Sequence, residues 1–109
     1  MAQAKTETTN MQVAQTILAQ LGGNKFLAMT GARDLVGSDN ALRFRLPRGA
    51  KAGITHMTVR LDASDIYSVE AIKFSARNLR STPVAARSDV YADSLREVFE
   101  GMTGLYTRL

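Results

Sequence analysis

Residues 55–76 read THMTVRLDASDIYSVEAIKFSA, and the fold turns on how this stretch pairs with itself. Thr55, Met57, Val59 and Leu61 alternate with His56, Thr58 and Arg60, the period of two that marks a half-buried strand. Asp62-Ala63-Ser64-Asp65 is turn chemistry, and residues 66–76 read as the returning strand. A two-residue loop sets Val59 opposite Ser68 and Met57 opposite Glu70, which mixes polar and apolar side chains on each face. A three-residue loop sets Leu61 by Tyr67, Val59 by Val69 and Met57 by Ala71. That register keeps one face apolar and is the one expected. It also puts Thr58 opposite Glu70, with His56 one diagonal step from that carboxylate.

Upstream, Leu42, Phe44 and Leu46 alternate with Arg43 and Arg45 until Pro47, giving another half-buried strand with an arginine-lined outer face. Ser38-Asp39-Asn40 is a turn, and Asp34–Gly37 and Lys25–Thr30 (KFLAMT) are short apolar runs, the second ended by Gly31. Arg48–Gly53 (RGAKAG) reads as a flexible basic loop. Before the strands, Ala14, Ile17, Leu18 and Leu21 fall on one helical stripe, with Asn10 as N-cap and Gly22-Gly23 as the stop. Gln12, Gln15, Thr16 and Gln20 face the other way. After the strands, residues 77–88 form a polar, basic connection containing Pro83. Ser88 then caps a helix from Asp89 to about Met102. One side of that helix carries Tyr91, Leu95, Val98, Phe99 and Met102, and the other carries Asp89, Asp93, Glu97 and Glu100. Thr103-Gly104 ends it, and Leu105, Tyr106 and Leu109 are expected to fold back on the core. The tripeptide MTG occurs at 29–31 and again at 102–104, in contexts different enough to read as coincidence. The expected architecture is α+β: a helix, a three- to four-stranded antiparallel sheet and a second helix, with both helices on one sheet face. Residues 1–9 read as a disordered tail and residues 10–109 as one domain.

Composition narrows the chemistry. The chain has 109 residues, with one His and no Cys. That excludes a disulfide framework, a zinc–cysteine site, a cysteine nucleophile and a two-histidine metal cluster. No cofactor is implied. Met1–Asn10 lacks the apolar core of a signal peptide, and no stretch approaches the length of a membrane span. The expectation is a cytoplasmic protein without membrane contact.

Charge is unevenly laid out. The formal net charge is +4, from 14 Lys and Arg against 10 Asp and Glu. Between Asp39 and Asp62 lie Arg43, Arg45, Arg48, Lys51 and Arg60 without an acid. Between Glu70 and Asp89 lie Lys73, Arg77, Arg80 and Arg87, again without an acid. Such a surface suits contact with nucleic-acid phosphates, and Arg43, Arg45, Arg48, Lys51, Arg60, Lys73, Arg77 and Arg80 are the candidate residues. Phe44, Tyr67 and Phe74 are the aromatics among the cations, and most of them read as core, which argues against a single-strand stacking role. The acidic stripe Asp89, Asp93, Glu97 and Glu100 is the alternative contact surface, suited to a basic protein partner. Homodimerisation through a strand edge such as Lys25–Thr30 is a further option.

His56 is the one group poised for proton transfer near neutral pH, with Glu70, Thr58 and Arg60 as neighbours, so a His56-dependent nuclease is a minor alternative. Asp62, Asp65 and Glu70 read as hairpin caps rather than metal ligands. Gly31–Ser38 (GARDLVGS) lacks the Gly-Lys-Ser/Thr end of a phosphate loop. No catalytic residue, no metal site and no enzymatic activity are expected.

The helix–strands–helix order resembles the double-stranded-RNA-binding domain, as does Gly53-Ile54-Thr55-His56 leading into Met57–Leu61. That family carries phosphate-binding lysines at the start of its last helix. This chain has Ser88-Asp89 there, followed by Asp93, so the function is not carried over. The segments Phe26–Leu35 (FLAMTGARDL), Leu42–Pro47 (LRFRLP), Asp65–Glu70 (DIYSVE) and above all Val90–Leu109 (VYADSLREVFEGMTGLYTRL) resemble a family of small proteins from bacteriophages and related mobile elements. The resemblance implies a phage origin and a setting in the cytoplasm of a bacterial host. It also implies either nucleic-acid handling or inhibition of a host protein, such as an antiviral defence complex.

Overall fold

In the computed structural model the backbone is described for residues 2–38, 40–63 and 66–105, and side chains from Gln12 onward. The chain runs α1 (Ala2–Leu21), α2 (Gly23–Thr30), β1 (Arg33–Ser38), β2 (Ala41–Arg45), β3 (His56–Ala63), β4 (Ile66–Ser75), β5 (Arg80–Tyr91) and α3 (Leu95–Thr103). One 3₁₀ turn, Lys51–Gly53, sits in the β2–β3 connection, and another, Ala92–Ser94, leads into α3. The fold is α+β, and the five strands form an antiparallel meander in chain order.

The central hairpin has the register that keeps its apolar face intact. Leu61 pairs with Tyr67, Val59 with Val69, Met57 with Ala71 and Thr58 with Glu70. Ser64 and Asp65, in the expected turn, lie outside the described residues. On β2, buried Leu42 and Phe44 alternate with exposed Arg43 and Arg45. Leu42, Phe44, Met57, Val59, Tyr67, Val69 and Ala71 join Ile17, Leu21, Phe26, Leu95 and Phe99 in one hydrophobic core. The core therefore lies between the helices and one face of the sheet. α1 packs on β1 and β2, α3 packs on β4 and β5, and the two helices touch each other. Phe26, Phe44 and Phe99 form its centre, with ring separations of 5.4 Å for 26–44, 5.1 Å for 26–99 and 6.1 Å for 44–99.

Four boundaries differ from the sequence reading. The first helix begins at Ala2, so Asn10 lies inside it and residues 2–9 are helical rather than a disordered tail. Ala, Gln, Lys and Glu in this segment are good helix formers, which supports helix there. Lys25–Thr30 belongs to α2, not to a strand, with Phe26 and Thr30 buried at i and i+4. A six-residue apolar run has no decisive period, and the expected dimer edge there does not exist. The sheet edges are β1 and β5 instead.

The basic connection is mostly β5, which makes the sheet five-stranded. β5 escaped detection because nearly all of it is exposed, so no alternation is imposed on its sequence. Pro83 is tolerated there because an edge strand does not need every N–H. Finally, α3 starts at Leu95. Asp89 has φ 55°, Val90 is buried and Tyr91 is 58% exposed, all within β5. Leu95, Val98, Phe99 and Met102 keep their apolar stripe, and half-buried Leu105 packs on the core. Tyr106 and Leu109 lie outside the described residues.

The repeated MTG is a repeated structure. In FLAMTG (26–31) and FEGMTG (99–104) a buried Phe precedes a buried Thr by four residues, and a left-handed Gly follows. Thr30 Oγ1 donates to the Phe26 carbonyl at 2.7 Å and accepts from Ala32 N–H at 3.2 Å. Thr103 Oγ1 donates to the Phe99 carbonyl at 2.9 Å and accepts from Leu105 N–H at 3.1 Å. Gly31 and Gly104 have φ 75° and 73°, the conformation in which glycine ends a helix without strain.

Candidate nucleic-acid interface

The face of the sheet away from the core is set by the same alternation that buries the other. Two rungs of the antiparallel ladder define it. One runs Arg33–Arg45–His56–Ile72–Pro83, and the next runs Val36–Arg43–Thr58–Glu70–Ala86. Arg60, opposite Ser68 and Ala41, lies one step further along the same face. Between Arg33 and Val36 a β-bulge sets Asp34 and Leu35 against Phe44 alone, with Asp34 at φ 56°. Bulges re-aim side chains, and Asp34 is exposed here with its carboxylate 3.9 Å from the Arg45 guanidinium. Both groups are more than half exposed, so the pair is a loose one of little energetic weight.

Two concavities open at this end of the molecule. The first, of about 340 Å³, is lined by Arg33, Arg45 and Arg48 together with Pro47, Gly49 and Thr55, with no carboxylate among the described residues of its lining. The second, of about 460 Å³, lies on the sheet face and is lined by Asp34, Val36, Arg43, His56, Ile72, Phe74 and Ser81. Phe74 is 40% exposed and Val36 is 56% exposed, so apolar surface stands open beside arginines.

Thr55 joins the two concavities. Its hydroxyl lies 2.8 Å from His56 Nδ1, accepts Phe74 N–H at 2.8 Å and lies 3.4 Å from the Ile72 carbonyl. His56 and Phe74 meet edge to face, with centroids 6.1 Å apart at 87°. Burial lowers the His56 pKa from its ordinary value, Arg43 and Arg45 lower it further, and Asp34 acts in the opposite sense. His56 is therefore neutral at pH 7.

The predicted phosphate contacts divide. Arg43, Arg45 and Arg60 share the open sheet face, Arg48 is in the basic concavity, and Arg77 and Arg80 sit in and just after the β4–β5 turn at the same end of the sheet. Lys73 alternates with Phe74 and lies against Gly53, on the helix side of the sheet. Lys51 is in the 3₁₀ turn facing Gly104 at the end of α3. Arg33 was absent from the expected set. Its contribution comes from pairing opposite Arg45, which no local pattern announces.

The expected acidic stripe is not a helix face. Asp89 is in β5, Asp93 is in the 3₁₀ turn, and only Glu97 and Glu100 are on α3. Asp62, within β3, accepts a hydrogen bond from Ser68 Oγ on β4, while Asp65 lies outside the described residues. Among the described residues no group of three or more His, Asp or Glu is placed to hold a metal ion, and no helix is long and apolar enough to cross a membrane. Compared with protein-family models, with curated proteins and with solved structures, the chain finds no match.

Proposed function

We propose that this chain is a small phage or mobile-element protein that binds nucleic acid mainly through backbone phosphates and performs no chemistry of its own. The observation that carries this reading is the convergence of Arg33, Arg45 and Arg48 on one concavity with no carboxylate among the described residues of its lining. Guanidinium groups bind phosphate oxygens two at a time, and each contact releases condensed counterions from the nucleic acid. Arg43 and Arg60 extend the positive surface along the sheet face, and Arg77 and Arg80 extend it towards the hairpin. His56 is held by Thr55 and kept neutral beside two arginines, an environment that suits a structural or contacting side chain. A host-protein inhibitor is the second reading. Its acidic contact surface is divided among β5, a 3₁₀ turn and α3, which favours the phosphate reading over it.

The test is a titration of the full chain against labelled duplex and single-stranded DNA and RNA at about 50 and about 200 mM salt. Binding that weakens steeply between the two concentrations is expected. Absence of binding to every oligonucleotide at the lower salt removes the proposal.

A further inference from the structure

We infer that the ligand is a single strand rather than a duplex, with a base stacked on Phe74 in the sheet-face concavity and adjacent phosphates held by Arg33, Arg45 and Arg48. This rests on the phosphate-binding reading above and names the form of nucleic acid it requires. Three observations carry it.

The first is exposure. A surface made only for phosphates has no use for open apolar side chains, yet Phe74 and Val36 stand on this face between arginines, with half-buried Ile72 beside them. Single-strand binding sites combine a cationic groove with aromatic platforms, since every base has a π-face while duplex bases are already stacked on each other. The second is size and shape. The concavity of about 460 Å³ is open and lies within the range of small-ligand sites, suited to unstacked bases. Among the described residues, no helix lies on this sheet face to enter a major groove.

The third is charge and continuity. Among the described residues, Arg33, Arg43, Arg45 and Arg48 line the two concavities against one carboxylate, Asp34. Arg45, in the basic concavity, is the direct ladder partner of His56, in the apolar one. Thr55 hydrogen-bonds both to His56 and to the backbone of Phe74, so the platform and the phosphate groove are held in fixed relation. A base on Phe74 thus has its flanking phosphates within the reach of arginine side chains.

The experiment measures fluorescence anisotropy of the full chain with labelled twelve-nucleotide oligo-dT, oligo-rU and a twelve-base-pair duplex. Wild type, Phe74→Leu, Phe74→Tyr and Arg48→Ala are compared, each first checked for a native melting transition. Phe74→Leu keeps the apolar bulk and removes the ring, and is expected to weaken single-strand binding about 5- to 100-fold. Its salt dependence stays as in wild type, because the phosphate contacts remain. Phe74→Tyr keeps wild-type affinity, and Arg48→Ala lowers the salt dependence. The inference is overturned, with the phosphate reading intact, if the duplex binds as tightly as the single strands or if Phe74→Leu binds them as wild type does. Loss of binding to all three oligonucleotides in wild type overturns both.

Discussion

The Phe26 and Phe99 rings meet edge to face at 5.1 Å, and each is the first residue of a copy of the same helix ending, F-x-x-M-T-G. Two helices far apart in sequence are stopped by the same device, and their aromatic residues meet in the middle of the core beside Phe44. The threonine turns its hydroxyl back on the helix and also receives the first N–H beyond the glycine. This satisfies backbone groups that a buried helix end would otherwise leave unpaired.

Phe99→Ala removes a fully buried ring that touches both Phe26 and Phe44. A loss of about 3–5 kcal/mol is expected, a large part of the stability of a domain this size. Urea denaturation followed by circular dichroism measures it. A loss below about 1 kcal/mol means that the three rings are not the centre of the core.

Thr30→Val and Thr103→Val keep the shape of each buried side chain and delete its hydroxyl. Each leaves an N–H, of Ala32 or Leu105, without its acceptor, at an expected cost of about 1–3 kcal/mol. Because the two caps are alike, the two variants should lose similar amounts in the same denaturation experiment. A neutral effect at either position rejects the shared capping role.

Leu79 has φ 53° in the β4–β5 turn and is 79% exposed. A leucine in the left-handed region is strained, and asparagine adopts it more readily. Leu79→Asn is expected to stabilise the protein by about 1 kcal/mol and to raise the melting temperature. An unchanged or lower melting temperature contradicts this.

His56 faces Arg43 and Arg45 on β2, Asp34 on β1 and, diagonally, Glu70 on β4. Its pKa is lower in the folded chain than its ordinary value of 6.5, so the unfolded chain takes up this proton first as pH falls. The stability tied to His56 is therefore complete above pH 6.5 and is lost as pH falls through 6.5 towards the lower folded value. Urea midpoints at about pH 7.5 and about pH 5.5 should fall further in wild type than in His56→Gln. Equal falls in both would show that His56 carries none of the acid sensitivity.

Arg33, which only strand pairing brings to the basic concavity, supplies a sharp control. Arg33→Ala should reduce the slope of log affinity against log salt for single strands by about 0.7, the value for one lost phosphate contact. Lys73→Ala, on the helix side of the sheet, should leave that slope unchanged. The opposite pattern would move the binding surface to the other face.

The patterning of residues 42–46, 55–61 and 66–76 was enough to determine three strands, the register of the β3–β4 hairpin and the identity of the buried face. Burial of one face forces a period of two, and a slip of one residue would turn every apolar side chain outward. The helical stripes at Ala14–Leu21 and Leu95–Met102 were legible for the same reason. What lacked a buried face lacked a pattern: β5 is exposed along most of its length. KFLAMT was too short for its period to separate strand from helix, and the packing of Phe26 decided it. The basic residues could be counted in the sequence, but not assigned to faces. Pairing across strands set Arg33 beside Arg45, while Lys73 fell on the helix side and the four acids were divided among three elements. Chain order orders residues along one line, whereas the ladder brings together residues from five strands, and a binding surface is made of the second kind of neighbour.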